Sequence, residues 1–177
     1  MAWIRYVSRW VEKSGGGVPK RAVSREVDFT ADQMLSLVED VESYPIFVPG
    51  WAAARIIRRH GDGYETEQVV KVKVFRHRFR SRTYVDRANG EIRVVSHEPP
   101  LRHLRMLWRI RPVGAGNCRI ELDVDFELKD LPFDLLAGVL SGPGVDRLVE
   151  AFVHRAETLF GHTAHISGGP GARASPP

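Results

Sequence analysis

Histidine side chains are the groups in this sequence best suited to moving protons near neutral pH. Seven histidines are present, and three of them, His77, His97 and His103, fall in segments with the residue pattern of β-strands. If these side chains met at one end of a sheet, they could act as acid and base on an enolisable substrate. Histidines scattered along strands are also common as surface or rim residues, so the pattern leaves both interpretations open.

Recognised catalytic motifs are missing from the sequence. It contains no nucleophile elbow, Walker loop, dinucleotide-binding fingerprint or metal-spaced set of His and Cys residues. The single cysteine, Cys118, excludes a disulfide within the chain and any cysteine-cluster metal site. It lies on the apolar side of a predicted strand, where a cysteine behaves as a small buried hydrophobic residue. We therefore predict no catalytic residues, no metal, no cofactor and no enzymatic activity.

An alternating row of arginines predicts a positive stripe on one face of a strand. This arginine stripe consists of Arg76, Arg78, Arg80 and Arg82. It could be a solvated face paired with Glu65 and Glu67 on the preceding strand, or it could contact anionic lipid headgroups or ribosomal RNA. Proteins that read RNA usually interleave exposed aromatic side chains for base stacking, and Phe79 lies on the opposite face. The sequence therefore favours a membrane over RNA as a functional partner of the stripe.

Residues 1–18 are typical of an amphipathic extension that precedes the folded domain. Trp3 and Trp10 lie on one side at helical spacing and Arg5 lies on the other, a composition suited to an anionic membrane surface. The extension could instead be frayed, form a short helix packed on its own domain, or be a targeting presequence. We predict contact with a membrane through Trp3, Arg5, Trp10 and the arginine stripe.

The composition is that of an ordinary globular protein, with 43% hydrophobic residues and a formal net charge of +4. We predict one domain over residues 19–162, followed by a disordered Gly/Pro/Ser tail over residues 163–177. No apolar run approaches the roughly 18–20 residues that a membrane span needs. We expect a soluble cytoplasmic protein that touches the inner face of a membrane only transiently.

The order of the elements predicts an α+β fold. A strand over Lys20–Asp28 is followed by a helix from Ala31 to about Glu42, for which Thr30 is a suitable N-cap. Further strands then follow between glycine-containing turns, at 52–59, 65–74, 76–87, 91–98, 103–111 and 119–129. A short apolar helix at 131–140 and a long helix through Gly161 end the pattern. A curved seven-stranded antiparallel sheet could wrap around the long helix and leave an internal apolar cavity.

The stretch VESYPIFVPGW, residues 41–51, is too apolar for an ordinary connector. It lies between the predicted first helix and second strand, at the end of the sheet where a cavity would open. We predict that this aromatic stretch forms the rim or lid of the cavity and that its prolines stiffen it. The alternative is a hydrophobic plug that merely closes the core.

Several segments together resemble the START-like (helix-grip) superfamily, and within it the coenzyme Q-binding and polyketide cyclase/dehydrase group of lipid carriers. They are DVESYPIFVPGW (40–51), FRHRFRSR (75–82), PPLRHLRMLWRIRP (99–112), ELDVDFELK (121–129) and VDRLVEAFVHRAETLFG (145–161). Their order and spacing agree from about Arg21 to Gly161. The resemblance implies a sheet wrapped around the terminal helix, with a hydrophobic tunnel for a long isoprenoid. For the quinone-binding members it implies carriage of ubiquinone in support of respiratory electron transfer.

The resemblance also implies which residues would contact the ligand. The tunnel mouth would involve Tyr44, Phe47, Val48, Pro49 and Trp51. The walls would draw on Phe75, Phe79, Leu104, Met106, Trp108 and Phe126, with Leu136, Leu140, Leu148 and Phe152 from the helical side. The tryptophan stands one position later than in the usual family pattern, which in a strand would turn it to the opposite face.

Three functions are therefore weighed. The favoured one is a non-enzymatic carrier of a hydrophobic ligand, most of all a polyprenyl quinone of the ubiquinone type. A polyketide cyclase/dehydratase-like enzyme is the first alternative, and it would need a polar cluster inside the cavity. A ribosome-association toxin-like protein is the second, and it would need a filled core and an exposed basic surface.

Overall fold

The computed structural model describes residues 21–72, 75–99, 101–128 and 142–161 of the chain. Its strands are Arg21–Val27 (β1), Trp51–His60 (β2), Gly63–Val72 (β3), Phe75–Asp86 (β4), Glu91–Ser96 (β5), Leu101–Pro112 (β6) and Cys118–Leu128 (β7). They form one seven-stranded sheet in the order β1-β7-β6-β5-β4-β3-β2. Every neighbouring pair is antiparallel. The predicted α+β architecture is confirmed.

Strict alternation in β6 and β7 decides which face of the sheet is buried. Ile120, Leu122 and Val124 are each at most 1% exposed. On the other face, Arg109 Nη1 lies 2.8 Å from a carboxylate oxygen of Asp123. Because the side chains of antiparallel partners share a face, the apolar residues of both strands form one continuous layer.

Cys118 belongs to this buried layer, as the alternation predicts. Its side chain is fully buried and carries no disulfide. Burial raises the pKa of the Cys118 thiol to about 11, because the thiolate would lose its hydration. The thiol therefore stays protonated near neutral pH.

Helix α1, Ala31–Glu39, begins at a complete capping box. The Gln33 backbone N–H donates to Thr30 Oγ1 at 3.2 Å, and the Thr30 backbone N–H donates to Gln33 Oε1 at 2.8 Å. Both groups would otherwise be unpaired at the start of the helix. The predicted N-cap is therefore correct.

The end of α1 differs from the sequence prediction, because the helix stops at Glu39 instead of continuing to about Glu42. A 3-10 turn over Val41–Ser43 follows, and then a four-residue helix, α2, over Tyr44–Phe47. Pro45 lies in the first turn of α2, where its missing N–H costs nothing. The aromatic stretch is therefore mostly helical.

The last helix, α3, runs over Gly142–Phe160 and packs against α1 and β1. Its buried residues recur at helical spacing: Val145, Leu148, Val149, Phe152, Val153 and Ala156. The prediction of a long terminal helix is confirmed. Among the described ranges, no helix combines the length and the apolar character that a membrane span requires. The predicted extension 1–18, helix 131–140 and tail 163–177 lie outside the described residues.

The two halves of the inner sheet face are covered differently. Helices α1 and α3 make their main sheet contacts with β1, β5 and β6, whereas the 3-10 turn and α2 contact β2. Buried polar residues occur on the inner face of β3 and β4: Thr66, Gln68, Ser81 and Thr83. We call β1, β7 and the Ile110 end of β6 the packed half, and β3, β4 and the Val94 end of β5 the hollow half.

Candidate ligand-binding cavity

A cavity lies over the hollow half, between the sheet, the aromatic stretch and α3. Its lining residues are Val38, Val41, Tyr44, Trp51, Tyr64, Gln68, Val70, His77, Phe79, Thr83, Val94, Leu101, Leu104, Met106, Trp108, Leu148 and Phe152. All of these except Gln68, His77 and Thr83 are hydrophobic or aromatic. A mostly apolar concave surface with a few polar groups is the usual form of a small-molecule site.

The volume of the cavity is about 70 Å³, measured as the space open to the centre of a water molecule. Pockets for drug-sized ligands are on the order of 300–1,000 Å³, so this cavity is small. A long apolar ligand would therefore require lining side chains to move apart. The aromatic stretch contacts α3 through the rings of Tyr44 and Phe47, which pack on Phe152.

Phe152 of α3 is the centre of that aromatic cluster. Its ring centroid lies 5.2 Å from Tyr44, 5.1 Å from Phe47 and 5.0 Å from Trp108, all in edge-on contacts. Trp51 joins the cluster through Tyr44, at 6.1 Å. Edge-on pairs contribute about 0.5–1.5 kcal/mol each beyond burial. The cluster ties the aromatic stretch to the helix and to the sheet.

The aromatic stretch combines the two roles that the sequence left open. Val48 is buried in the core, as in a hydrophobic plug. Tyr44 and Trp51 line the cavity, as a rim would. The Ile46 side chain packs neither in the core nor on the cavity and is 70% exposed. The stretch therefore closes the core with some residues and borders the cavity with others.

Trp51 reaches the cavity because β2 contains a β-bulge. Trp51 pairs with Val70, but Ala53 pairs with Val69, so the register shifts by one residue between them. An extra residue in one strand reverses which face the following side chains occupy. The expectation that the displaced tryptophan would point to the opposite face is wrong, because the bulge returns it to the inner face.

A buried polar network on β3 and β4 reaches the cavity through Gln68. We call this network, which consists of Thr66, Gln68 and Ser81, the polar wall. Trp51 Nε1 donates to Gln68 Oε1 at 2.8 Å. Gln68 Nε2 donates to Thr66 Oγ1 at 2.9 Å and to Ser81 Oγ at 2.8 Å, and the two hydroxyl oxygens are 2.9 Å apart. Such groups tolerate burial because each has a hydrogen-bond partner. The network gives one side of an otherwise apolar cavity a polar surface.

Two tyrosines join the cavity to the end of α1. Tyr44 Oη donates to the Val38 carbonyl, and Tyr64 Oη donates to the Glu39 carbonyl at 2.8 Å. These carbonyls lie in the last turn of the helix and lack intrahelical donors. Burial raises the pKa of both phenols well above the ordinary value, and nearby acidic groups raise it further. Both hydroxyls therefore stay protonated.

The predicted contact residues fall into three groups. Tyr44, Trp51, Phe79, Leu104, Met106, Trp108, Leu148 and Phe152 line the cavity together. Phe47 packs on Phe152, Val48 and Phe126 are buried in the core, and Pro49 is exposed. The side chains of Phe75, Leu136 and Leu140 lie outside the described set, as do Trp3, Arg5 and Trp10. Contact with a ligand stays a prediction for the residues of the mouth and walls, and contact with a membrane stays a prediction for Trp3, Arg5 and Trp10.

The three strand histidines do not meet in one site. His77 lines the cavity. His103 lies on the other face, with Nε2 3.0 Å from Asp125 and Nδ1 3.7 Å from Glu127. His97 is exposed, and its Nδ1 lies 3.4 Å from the Arg102 carbonyl oxygen. Opposite strand faces separate these side chains, although the strand ends are close. Within the described ranges, no cluster of His, Cys, Asp and Glu could hold a metal ion.

The arginine stripe lies on the outer face of the hollow half and pairs with the two predicted glutamates. Arg82 binds Glu65, while Arg78 and Arg80 lie within 4.0 Å of Glu67. Arg55 on β2 is 2.8 Å from Glu67 as well. Hydrogen bonds from Arg82 and Arg55 hold the pKa of Glu65 and Glu67, respectively, below the ordinary value. With Arg76 also exposed, cations outnumber carboxylates on this face.

The polar wall was missed by sequence reasoning. Along β3, Thr66 and Gln68 alternate with Glu65 and Glu67 and therefore lie on the same face as Tyr64 and Val70. Along β4, Ser81 and Thr83 lie on the same face as Phe79. Neutral polar residues in phase with apolar ones, and out of phase with charged ones, are the signal that could have identified it.

The sequence model that describes polyketide cyclase/dehydrase and lipid transport proteins matches residues 27–153 of the chain. A curated relative, the ribosome association toxin RatA of Escherichia coli K12, is 29% identical over 148 residues, covering 81% of this chain and 90% of the relative. The mitochondrial coenzyme Q-binding protein COQ10 homolog B of Xenopus laevis is 29% identical over 142 residues, covering 78% of this chain and 58% of the relative.

Solved structures share the fold. A START superfamily protein from Mycobacterium smegmatis superposes with a TM-score of 0.70 at 24% identity, covering 81% of this chain and 99% of its own. At that identity the likeness concerns the fold alone, and it agrees with a helix-grip arrangement of sheet and terminal helix.

Proposed function

The chain belongs to the polyketide cyclase/dehydrase and lipid transport family, and we propose that it binds and carries a hydrophobic ligand without chemically changing it. The ligand that we propose is a polyprenyl quinone of the ubiquinone type, carried in support of respiratory electron transport. The observation behind this proposal is the apolar cavity under α3, in which residues from the sheet, the aromatic stretch and two helices converge.

Burial of an isoprenoid tail would supply the binding free energy. Each CH₂ group removed from water contributes about 0.8 kcal/mol. Side chains such as Phe79, Leu104 and Met106 offer the tail an apolar surface. Since the cavity measures about 70 Å³, part of that free energy is spent on separating the lining side chains. Net affinity is therefore well below the sum over the tail.

The choice of a quinone is supported by two features. The frog relative is named a coenzyme Q-binding protein and is 29% identical over 142 residues. The polar wall around Gln68 gives the cavity a place for a small polar head, next to the apolar surface that suits a tail. A purely hydrocarbon ligand would leave these polar groups without a role in binding.

Titration with a ten-carbon-tailed ubiquinone, decylubiquinone, tests the proposal. We expect saturable binding by calorimetry, abolished by the double substitution Phe47→Gln and Trp51→Gln. A matched control is Val113→Gln, which replaces an exposed apolar side chain in the turn after β6. Unchanged affinity in a double variant that retains the wild-type circular dichroism would contradict the assignment of the aromatic stretch to the site.

The arginine stripe supports a further part of the proposal, transient docking on an anionic membrane. Its guanidinium groups are between 49% and 70% exposed where they pair with Glu65 and Glu67. Exposed charges of this kind attract anionic headgroups, and salt screens the attraction. We expect co-sedimentation with phosphatidylglycerol vesicles that is lost in about 0.5 M salt and in a variant with all four stripe arginines replaced by glutamine.

Ribosome association is the second candidate function. The toxin relative from Escherichia coli covers 81% of this chain, and the same exposed arginines could meet RNA phosphates. Sucrose-gradient fractionation of a lysate distinguishes the candidates. Co-migration with ribosomal subunits that is lost on replacing the stripe arginines would support this function. Absence of the protein from ribosomal fractions would leave the carrier proposal alone.

A further inference from the structure

The hydrogen-bond donors that Trp51 and Gln68 bring to the polar wall are already engaged within the protein. The indole N–H of Trp51 lies 2.8 Å from Gln68 Oε1. An indole nitrogen can only donate, so the amide oxygen of Gln68, and not its nitrogen, must face Trp51. The tryptophan therefore fixes the orientation of the glutamine amide.

That orientation engages both hydrogens of the Gln68 amide nitrogen. One points to Thr66 Oγ1 at 2.9 Å and the other to Ser81 Oγ at 2.8 Å. A primary amide has two N–H donors and no more, so the Gln68 nitrogen has none left for a ligand. Its oxygen accepts one hydrogen bond from Trp51 and retains a second lone pair.

The two tyrosines that line the cavity repeat this pattern. Tyr44 Oη donates to the carbonyl of Val38, and Tyr64 Oη donates to the carbonyl of Glu39. A carbonyl can only accept, so each phenol has used its single hydrogen. What each phenol oxygen retains is the capacity to accept. The hydrogen bond between Tyr64 and Thr83 lowers the pKa of Tyr64, so the Thr83 hydroxyl donates to Tyr64 Oη and leaves that oxygen one further lone pair.

We propose that the cavity selects headgroups that donate hydrogen bonds, and that it therefore binds a quinol in preference to the corresponding quinone. This inference rests on the proposed function. The oxygens of Gln68, Tyr44 and Tyr64 can accept from the two hydroxyls of a quinol. A quinone has only acceptor oxygens, which would face other acceptors and lose their hydration. His77 also lines the cavity, and an imidazole can serve either form.

The expected preference is on the order of tenfold, because a buried polar group without a partner weakens binding by about that factor. Preferential binding of the reduced form makes the bound quinone easier to reduce. For a two-electron couple, a tenfold preference raises the midpoint potential by about 30 mV. Among the molecules that it binds, the carrier would then favour the reduced form.

The test compares two matched pairs of probes by calorimetry under argon. The first pair is decylubiquinol and decylubiquinone, and the second is 4-decylphenol and its methyl ether, 4-decylanisole. We expect the hydroxyl-bearing member of each pair to bind about tenfold more tightly. Equal binding within both pairs, or tighter binding of the quinone and the ether, overturns the inference while leaving the carrier proposal intact.

The two failures are distinguishable. If neither quinone form binds but the phenol binds more tightly than its ether, the quinone ligand is wrong and donor selection is supported. If none of the four probes binds, the carrier proposal and this inference are both overturned.

Substitutions identify the acceptors. Gln68→Met removes the amide oxygen at similar size, and Tyr64→Phe removes one phenol oxygen with less disturbance of the network. We expect each to reduce the quinol preference at least threefold, mainly by weakening quinol binding. Trp108→Leu, on the apolar side of the lining, is the control and should weaken both forms equally. Retention of the full preference in a folded Tyr64→Phe, Tyr44→Phe double variant and in Gln68→Met would contradict the inference.

Discussion

The packed and hollow halves of the sheet are built on the same strands and differ in what covers them. In the packed half, Ile120, Leu122 and Val124 are almost completely buried. In the hollow half, Gln68, Thr83 and Val94 border empty space. One continuous row of paired residues crosses from one half to the other, from Val124 through Met106 to Val94. Neighbouring positions in one row therefore serve different purposes.

This difference separates stability from function. In the packed half, α3 contacts β1, and burial of fully enclosed side chains such as Leu122 stabilises the fold. In the hollow half, the hydrogen-bond network around Gln68 stands among the apolar side chains. A site that must admit a ligand is less costly to maintain where the fold does not depend on close packing.

The largest effect is expected from a matched pair of leucine truncations. Leu122→Ala in the packed half should lower the free energy of unfolding by about 3–5 kcal/mol, because it leaves a new cavity among fully buried side chains. Leu104→Ala should cost at least about 1 kcal/mol less, because Leu104 already borders empty space. Urea denaturation followed by circular dichroism measures both. Equal costs would mean that the lining of the cavity around Leu104 is packed as closely as the packed half.

The converse substitution fills space in place of creating it. Val124→Phe should destabilise the protein by about 1–3 kcal/mol through overpacking. Val94→Phe lies in the same cross-strand row but faces the cavity, so its stability should change little while its affinity for decylubiquinone falls at least tenfold. Thermal unfolding and calorimetric titration of both variants provide the measurement. Wild-type affinity in Val94→Phe would place the ligand elsewhere.

A smaller effect is expected from the polar wall. Gln68→Leu leaves the Trp51 N–H without its acceptor, whereas the additional substitution Trp51→Phe removes that donor. A double-mutant cycle in urea should therefore give a coupling free energy on the order of 1 kcal/mol. Strict additivity of the two single changes would show that the 2.8 Å contact contributes nothing to stability.

The smallest effect concerns the outer face of the hollow half. The pKa values of Glu65 and Glu67 are lowered in the folded protein by Arg82 and Arg55. A lowered folded pKa stabilises the protein above the unfolded pKa, and the contribution is lost as the pH falls through the folded pKa. Between pH 7 and pH 3 the urea midpoint of the wild type should therefore fall slightly more than that of a Glu65→Gln, Glu67→Gln variant. A steeper fall in the variant would mean that ionisation of the two glutamates does not stabilise the folded protein.

Sequence periodicity predicted most of the fold because its signal is local. The alternation from Cys118 to Leu128 and the helical repeat from Val145 to Phe160 each state which side is buried, and the structure agrees. Helix α1 was predicted too long because side chains distant in sequence, such as Tyr64, decide where it ends. That information is tertiary and has no local pattern.

The cavity was only partly predictable. The apolar lining follows from hydrophobic residues on the inner face, among them Leu104 and Trp108. The orientation of the Trp51 side chain toward the cavity does not follow from the sequence pattern, because a single-residue bulge in β2 reverses it. His77 and His103 are kept apart because they lie on opposite faces of the sheet. Which face each one occupies depends on how its strand pairs with the neighbouring strands, and the sequence does not show that pairing.

The central claim is that the hollow half holds a hydrophobic ligand, and native mass spectrometry of protein purified from its own host tests it most directly. Organic extraction of the same sample identifies whatever is bound, and the Val94→Phe variant purified in parallel is the control. We expect a near-stoichiometric isoprenoid quinone or other lipid in the wild type and its loss in the variant. Wild-type protein that is empty, or a lipid retained equally by both proteins, would contradict the claim.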